Sequence, residues 1–327
     1  MKLVRTSLAA IAIVLAFTQP SFTEGQNYPS HLIVFGDSLS DTGNDLIATS
    51  GFGLEIPPLG MYFQGRFTNG PVAFEHLWAL LRDGAPAYMP PSLALPAIPA
   101  DGAVSFAFGG TGSGVQTLTP GNFLAPGLKG QVAMFAAMLN NQPAPPNALY
   151  AIWTGPNDYP AEPFREFLDP QVVVSNIADA VRTLHALGAR KILMVNLPER
   201  SAPPDILLLH NKLLRKATEL LDAQLDGLEI IQADVSGLLS TLIPEFEASV
   251  PLVDVLLPPA PGQPFPNSFC LFIDPTTCPQ VPTFAADQKF LFWDAGHPTT
   301  AVHERVAEHL IGPVRKALRN DAKKLAQ

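Results

Sequence analysis

Leu32-Ile33-Val34-Phe35-Gly36-Asp37-Ser38-Leu39-Ser40-Asp41-Thr42-Gly43-Asn44 is the stretch that decides the fold. Its first four residues are all apolar and rich in β-formers, with no polar alternation, as in a strand covered on both faces. Short runs of the same kind recur at Val104–Phe108, Leu149–Trp153, Ile192–Val195 and Leu228–Ile231. Between and after them lie segments with helical spacing, at Pro71–Leu81, Gln131–Asn140, Val172–Leu187, Ile206–Leu225 and Thr299–Leu318. Strand alternating with helix predicts an α/β fold with a mainly parallel sheet. Ligands in such folds bind outside the carboxyl ends of the strands. Ser38 stands there, directly after the first strand. Gly36 lets the backbone turn sharply before it. A helix starting near Ser38 would aim its amides at whatever the serine attacks; an ordinary helix cap is the plainer reading of the same residue.

Two regions break the alternation. Gly43–Thr68 is rich in Gly, Pro and aromatic residues, and Leu242–Lys289 is dense in Pro and holds both cysteines, Cys270 and Cys278. Both read as long surface loops on one domain spanning 30–320, and loops of that length commonly shape a substrate cleft.

The far end of the chain gives Ser38 a use. Trp293-Asp294-Ala295-Gly296-His297-Pro298-Thr299 precedes the last helical segment. A nucleophilic serine needs a base, and the base needs a partner that fixes its tautomer. Asp294 and His297 can supply both from one turn; a solvated loop with Asp294 as a helix cap is the alternative. Two segments between them offer donors for a developing oxyanion. Ser105-Phe106-Ala107-Phe108-Gly109-Gly110-Thr111 sets a glycine pair at a strand end, where backbone N–H groups approach a ligand without side-chain hindrance. Trp153-Thr154-Gly155-Pro156-Asn157-Asp158 offers the Asn157 amide at the next strand end. A tight turn and an Asx-turn are the structural readings of these two. All four segments follow a strand or precede the last helix, so all four fall at one edge of a parallel sheet.

In that order the segments resemble the GDSL, or SGNH, hydrolases. Phe35–Asn44 is similar to the family's first block with Ser38 as nucleophile, Phe106–Gly110 to its second, Gly155–Asp158 to its third and Asp294–Pro298 to its last. Gly65-Arg66-Phe67-Thr68-Asn69-Gly70 resembles the secreted, lecithinase-like branch. A four-residue match means little, whereas four blocks in order are specific. The resemblance implies a three-layer α/β/α, doubly wound, flavodoxin-like fold on about five parallel strands. It implies ester hydrolysis through an acyl-enzyme on Ser38, with His297 as base and Asp294 as its orienter. The Ser38 N–H, the Gly110 N–H (Gly109 being the other candidate) and Asn157 would hold the oxyanion. No metal or organic cofactor is implied. A small-molecule or lipid ester is the expected substrate, and sugar O-acetyl ester hydrolysis or acyl transfer would use the same residues. A binding protein on an inactive scaffold fits poorly with an intact Ser38, Asp294 and His297.

Composition excludes other classes. A net charge of −9 without any Lys/Arg run argues against a nucleic-acid partner. The Gly109–Gly114 run lacks the Gly-Lys-Ser/Thr ending of a phosphate loop and the dinucleotide spacing, and no His-Glu-x-x-His occurs. Lys2 and Arg5, then an apolar run from Leu8 to Phe17, then polar residues with Pro20, read as a signal peptide over 1–23 and a secreted protein. No other stretch is apolar and long enough to span a membrane. In an exported chain, Cys270 and Cys278 read as one small disulfide loop; in a cytosolic one they would be free thiols.

Overall fold

The computed structural model of the protein describes residues 28–119, 123–160, 167–246, 250–263, 265–281 and 289–325. The leader expected over 1–23 lies outside them. The elements run β1 (His31–Gly36), α1 (Asn44–Ser50), α2 (Ala73–Leu81), β2 (Gly102–Ser105), β3 (Gln116–Thr119), β4 (Phe123–Pro126), α3 (Leu128–Met138), β5 (Ala148–Trp153), α4 (Pro170–Leu187), β6 (Lys191–Val195), α5 (Pro204–Gln224), β7 (Glu229–Ala233), α6 (Leu238–Leu242), α7 (Leu252–Leu256), α8 (Cys270–Ile273) and α9 (Thr300–Leu325).

Five strands make one all-parallel sheet in the order β2-β1-β5-β6-β7. Alternate residues of each strand point to opposite faces. On β1, Ile33 and Phe35 enter a core with α3, α4 and α5, while Leu32 and Val34 enter a second core with α2 and α9. β5 divides the same way, Tyr150 and Ile152 against Leu149, Ala151 and Trp153. Both faces are therefore apolar, which is why these strands read as unbroken apolar runs. From β1 the chain winds outward to β2, then returns past β1 to β5 and continues the other way. The reversal between β1 and β5 leaves a crevice outside their carboxyl ends.

Local chemistry sets the helix ends. Asp169 caps α4 by accepting from Gln171 N at 2.7 Å, Pro170 opens the helix, and Gly188 closes it at φ 117°. Among the described residues no helix is long and apolar enough to cross a membrane.

Several expectations need correction. No helix begins at Ser38; residues 37–41 form a single turn in which Ser40 N and Asp41 N both donate to Asp37 O, and the helix starts at Asn44. Gly36 is required for a different reason than a sharp turn: a Cβ there would lie 2.4 Å from Trp153 O on the paired strand. The second strand ends at Ser105 rather than Phe108, although Phe106 N and Phe108 N still donate to Val34 O and Gly36 O of β1. An antiparallel hairpin, β3 with β4, follows the glycine pair.

The two long loops are partly helical, with α1 in the first and α7 and α8 in the second, which begins at the end of α6. They pack on each other. Ile56, Met61, Tyr62 and Phe67 of the first meet Leu252, Val253, Cys270 and Leu271 of the second in a third apolar cluster around Trp293. Cys270 and Cys278 are disulfide-bonded across the second loop.

Candidate active site

Ser38 sits on the turn that ends β1, almost fully buried. The strand end is held from below by Gln131 of α3. Its side-chain oxygen accepts from Gly36 N at 2.9 Å, and its amide donates to Gly36 O at 2.8 Å. Ser38 Oγ lies 2.8 Å from His297 Nε2. His297 Nδ1 lies 2.8 Å from Asp294 Oδ2 and 3.0 Å from Oδ1. A carboxylate only accepts, so Nδ1 carries the proton and Nε2 is the acceptor that faces the serine hydroxyl. These three residues, 259 positions apart at the extremes, thus form one hydrogen-bonded chain.

The Asp294–His297 turn is built to hold this geometry. Asp294 Oδ1 accepts from Gly296 N at 2.8 Å and from His297 N at 2.7 Å, and Trp293 N donates to His297 O. The Gly65–Gly70 segment grips the turn from the other side. Thr68 Oγ1 donates to Pro298 O, and Asn69 Oδ1 accepts from Thr300 N at the start of α9. Phe67 packs on the His297 ring at 5.3 Å, and Phe272 of α8 stacks on it at 5.8 Å with 9° between planes.

The two donor segments are tied to each other and to the serine turn. Asp41 accepts from Gly43 N, Asn44 N, Asp45 N and Gly109 N. Gly109's amide is therefore committed to Asp41, which separates the two glycines that the sequence left open. Gly110 follows at φ 69°, a conformation that favours glycine. Asn44 donates to Ser105 O and Ala107 O, so the residues after the serine hold the glycine loop. Asn157 Nδ2 donates to Thr111 O at 3.1 Å, and Asp158 accepts from Ser113 N at 2.9 Å and Ser113 Oγ at 3.2 Å.

Ser38, Asn157 and His297 line one cavity of about 340 Å³. Gly110 does not itself line the cavity. From the serine the cavity runs past Leu39, Trp153 and Phe292 to Val235, Leu238, Leu239, Val302 and Val306, between α6 and α9. Its polar walls are few: Asp37, Glu199, Arg200 and Ser201 besides the residues just named. Glu199 accepts from Leu239 N and Ser240 N and so fixes the start of α6. Arg200 lies over the Phe292 ring at 5.1 Å.

Burial dominates the electrostatics. Asp37 is pushed up to about 7 by burial, against a backbone hydrogen bond from Leu39 and the field of His297, and its Oδ2 has no hydrogen-bond partner. Burial also pushes Asp41 up to about 6, opposed by its amide donors, and holds Asp45 well above the usual carboxylate range. Among the described residues no group of three or more His, Cys, Asp or Glu side chains is placed to hold a metal ion.

Every residue singled out from the motifs reaches this sheet edge. Gln131, Tyr62 and Phe272 also contact it, and no motif pointed to them. Gln131 sits in an apolar helical stretch, where a single amide reads as a solvent-facing position. Tyr62 and Phe272 lie in the aperiodic loops.

A profile of the GDSL-like lipase/acylhydrolase family matches residues 32–310. The phosphatidylcholine-sterol acyltransferase of Aeromonas hydrophila is 29% identical over 197 residues, which cover 60% of this chain and about half, 51%, of that protein. A GDSL esterase/lipase of Arabidopsis thaliana is 26% identical over 326 residues, covering 91% of this chain and 93% of the plant protein. Among solved structures, TesA overlaps 88% of this chain and 99% of its own at 18% identity and a TM-score of 0.39.

Proposed function

Since the chain belongs to the GDSL-like lipase/acylhydrolase family and is a carboxylic ester hydrolase of that family, we propose that it is an exported serine esterase acting on esters with an apolar acyl group. The observation that carries this reading is the hydrogen-bonded chain Ser38–His297–Asp294 opening into a largely apolar cavity.

Ser38 Oγ attacks the ester carbonyl as its proton passes to His297 Nε2, and Asp294 steadies the imidazolium that forms. The negative charge that develops on the carbonyl oxygen is met by the Ser38 N–H, the Gly110 N–H and the Asn157 amide. Thr111 O accepts a hydrogen bond from one N–H of that amide and so fixes the side chain's orientation. His297 protonates the departing alcohol. It then draws a proton from water, whose oxygen attacks the acyl-enzyme and releases the acid. The acyl group lies along the apolar wall between α6 and α9, and burial of its chain supplies binding energy in proportion to apolar area. Export is supported by the leader-like sequence of residues 1–23 and by the bonded cysteines.

Acyl transfer to an alcohol in place of water is a second reading, favoured by the likeness to the Aeromonas acyltransferase. One assay tests both: p-nitrophenyl esters from acetate to palmitate, with and without an added alcohol, on the wild type and Ser38→Ala. Turnover is expected to rise with acyl length beyond acetate and to fall by several orders of magnitude in the folded variant. Wild-type turnover in Ser38→Ala removes the proposed nucleophile. Formation of a new ester at the expense of free acid identifies transfer.

A further inference from the structure

Asp294 is fully buried, and one of its hydrogen-bond donors comes from outside every motif. Tyr62 Oη donates to Asp294 Oδ2 at 2.6 Å, from 232 positions away. That oxygen also accepts from His297 Nδ1, while Oδ1 is held by the amides of Gly296 and His297. Tyr62 is itself fully buried, its ring 6.2 Å from that of Phe67, which packs on His297. Burial and the charge of Asp294 hold the phenol well above the usual tyrosine range, so it stays protonated and only donates.

We propose that Tyr62 is a positioning residue for ester hydrolysis: by donating to Asp294 Oδ2 it sets how strongly that carboxylate stabilises the His297 imidazolium. The inference rests on the proposed roles of Asp294 and His297. A hydroxyl at 2.6 Å from a carboxylate is a short, charge-assisted hydrogen bond. It draws electron density from the oxygen that His297 Nδ1 also uses. With the phenol present, the Asp294 carboxylate pulls less on the imidazolium. Without it, three donors still hold Asp294 in place, and its charge concentrates toward Nδ1. The imidazolium is then more stable, and the neutral base appears only at higher pH. The other titratable groups facing His297 are Asp37 from the end of β1 and His303 from α9, with Ser38 on Nε2. None of them touches Tyr62 Oη in this arrangement, so they remain in place when the hydroxyl is removed.

The test reads His297 directly, without relying on turnover. In the Ser38→Ala background, NMR titration of His297 is compared for Tyr62, Tyr62→Phe and 3-fluorotyrosine placed at 62. Tyr62→Phe should move the titration upward by about half a pH unit or more, and the more acidic fluorophenol should move it downward. In the Ser38 background, the acid limb of kcat/KM should move in the same two directions, with plateau kcat changed less than tenfold. Met61→Ala, which loosens the same cluster and leaves the hydroxyl, should lower the melting temperature and leave the titration where it was. An unmoved titration in both Tyr62 variants, or an equal shift in Met61→Ala, overturns the proposal. If Ser38→Ala keeps its activity, the reading of the nucleophile fails instead, and the NMR result still decides the role of Tyr62. If Tyr62→Phe does not fold, the fluorotyrosine shift decides alone.

Discussion

Ser38 and His297 are brought together by two regions that achieve precision in different ways. The serine is placed by the sheet. β1 is paired with β5 over its whole length and with β2 over His31–Val34, and its last residue is clamped by Gln131 from α3. The histidine is placed by loops. Its turn is held by the Gly65–Gly70 segment, by α8 and by the cluster around Trp293, where the two long loops meet. In the sheet, backbone pairing repeats and many equivalent contacts share the load. In the loop cluster, a few unique contacts carry it: one buried ion pair, one disulfide and one tyrosine hydroxyl. Single substitutions should therefore cost more in the loop cluster and reach further into catalysis.

The largest effect is expected at Arg66. Its guanidinium pairs with Glu75, Nη2 to Oε1 at 2.7 Å and Nε to Oε2 at 3.2 Å, with both side chains buried. Glu75 also accepts from Val72 N and Met89 N, so the pair joins the first loop to α2. Arg66→Met leaves a buried carboxylate without its counter-charge and should cost about 3–5 kcal/mol in urea unfolding. Adding Glu75→Leu removes the unpaired charge and should recover part of the loss. No recovery would mean that packing by the arginine stem, rather than charge, holds the loop.

The disulfide comes next. Cys270 and Cys278 close a short loop that carries α8, and α8 presents Phe272 to the face of His297. Replacing both cysteines with serine should cost roughly 2–3 kcal/mol by loop-closure entropy. It should also lower kcat/KM several-fold, because the ring that backs His297 loses its anchor. Loss of stability with unchanged kcat/KM would confine the second loop to a scaffolding role.

This division also explains what could be read in the sequence. Strands buried on both faces leave continuous apolar runs, and α4 and α5 leave clean helical spacing, so the sheet and its layers were legible. Ser38, Asn157, Asp294 and His297 were legible because each sits in a short motif at a strand end or before the last helix. The partners that hold them were not. Tyr62 and Asp294 meet across 232 positions, and no local pattern encodes that contact. α1 is two turns long and α8 about one, too short for a periodicity to show. The β3–β4 hairpin has four-residue strands with Leu118 and Leu124 exposed, so it lacks the alternation that marks a half-buried strand. Asp41 and Asn44 belong to the serine block, yet their role in holding the glycine loop appears only in three dimensions.

The smallest effect tests the sheet side, through pH. His303 lies in the α2–α9 layer, fully enclosed, and its Nδ1 accepts from Ala73 N at 3.2 Å. Burial, with smaller contributions from His76 and His297, lowers it to about 3. The folded state therefore keeps His303 neutral, whereas the unfolded chain takes up a proton below about pH 6.5. Between about 6.5 and 3 the unfolded state binds more protons, so stability falls as pH falls through that window and is unaffected above it. At pH 5 the loss from this one residue is at most about 2 kcal/mol, from about 1.5 pH units at 1.36 kcal/mol each. His303→Asn keeps an acceptor for Ala73 N and removes the titration. Its melting temperature should drop less than that of the wild type between pH 8 and pH 5. His210, lowered to about 4 by burial, titrates in the same window, so the dependence should shrink and not vanish. A wild-type pH dependence that persists in full in His303→Asn would assign the acid sensitivity to His210, to the loop cluster, or to His76 on α2, which burial also lowers.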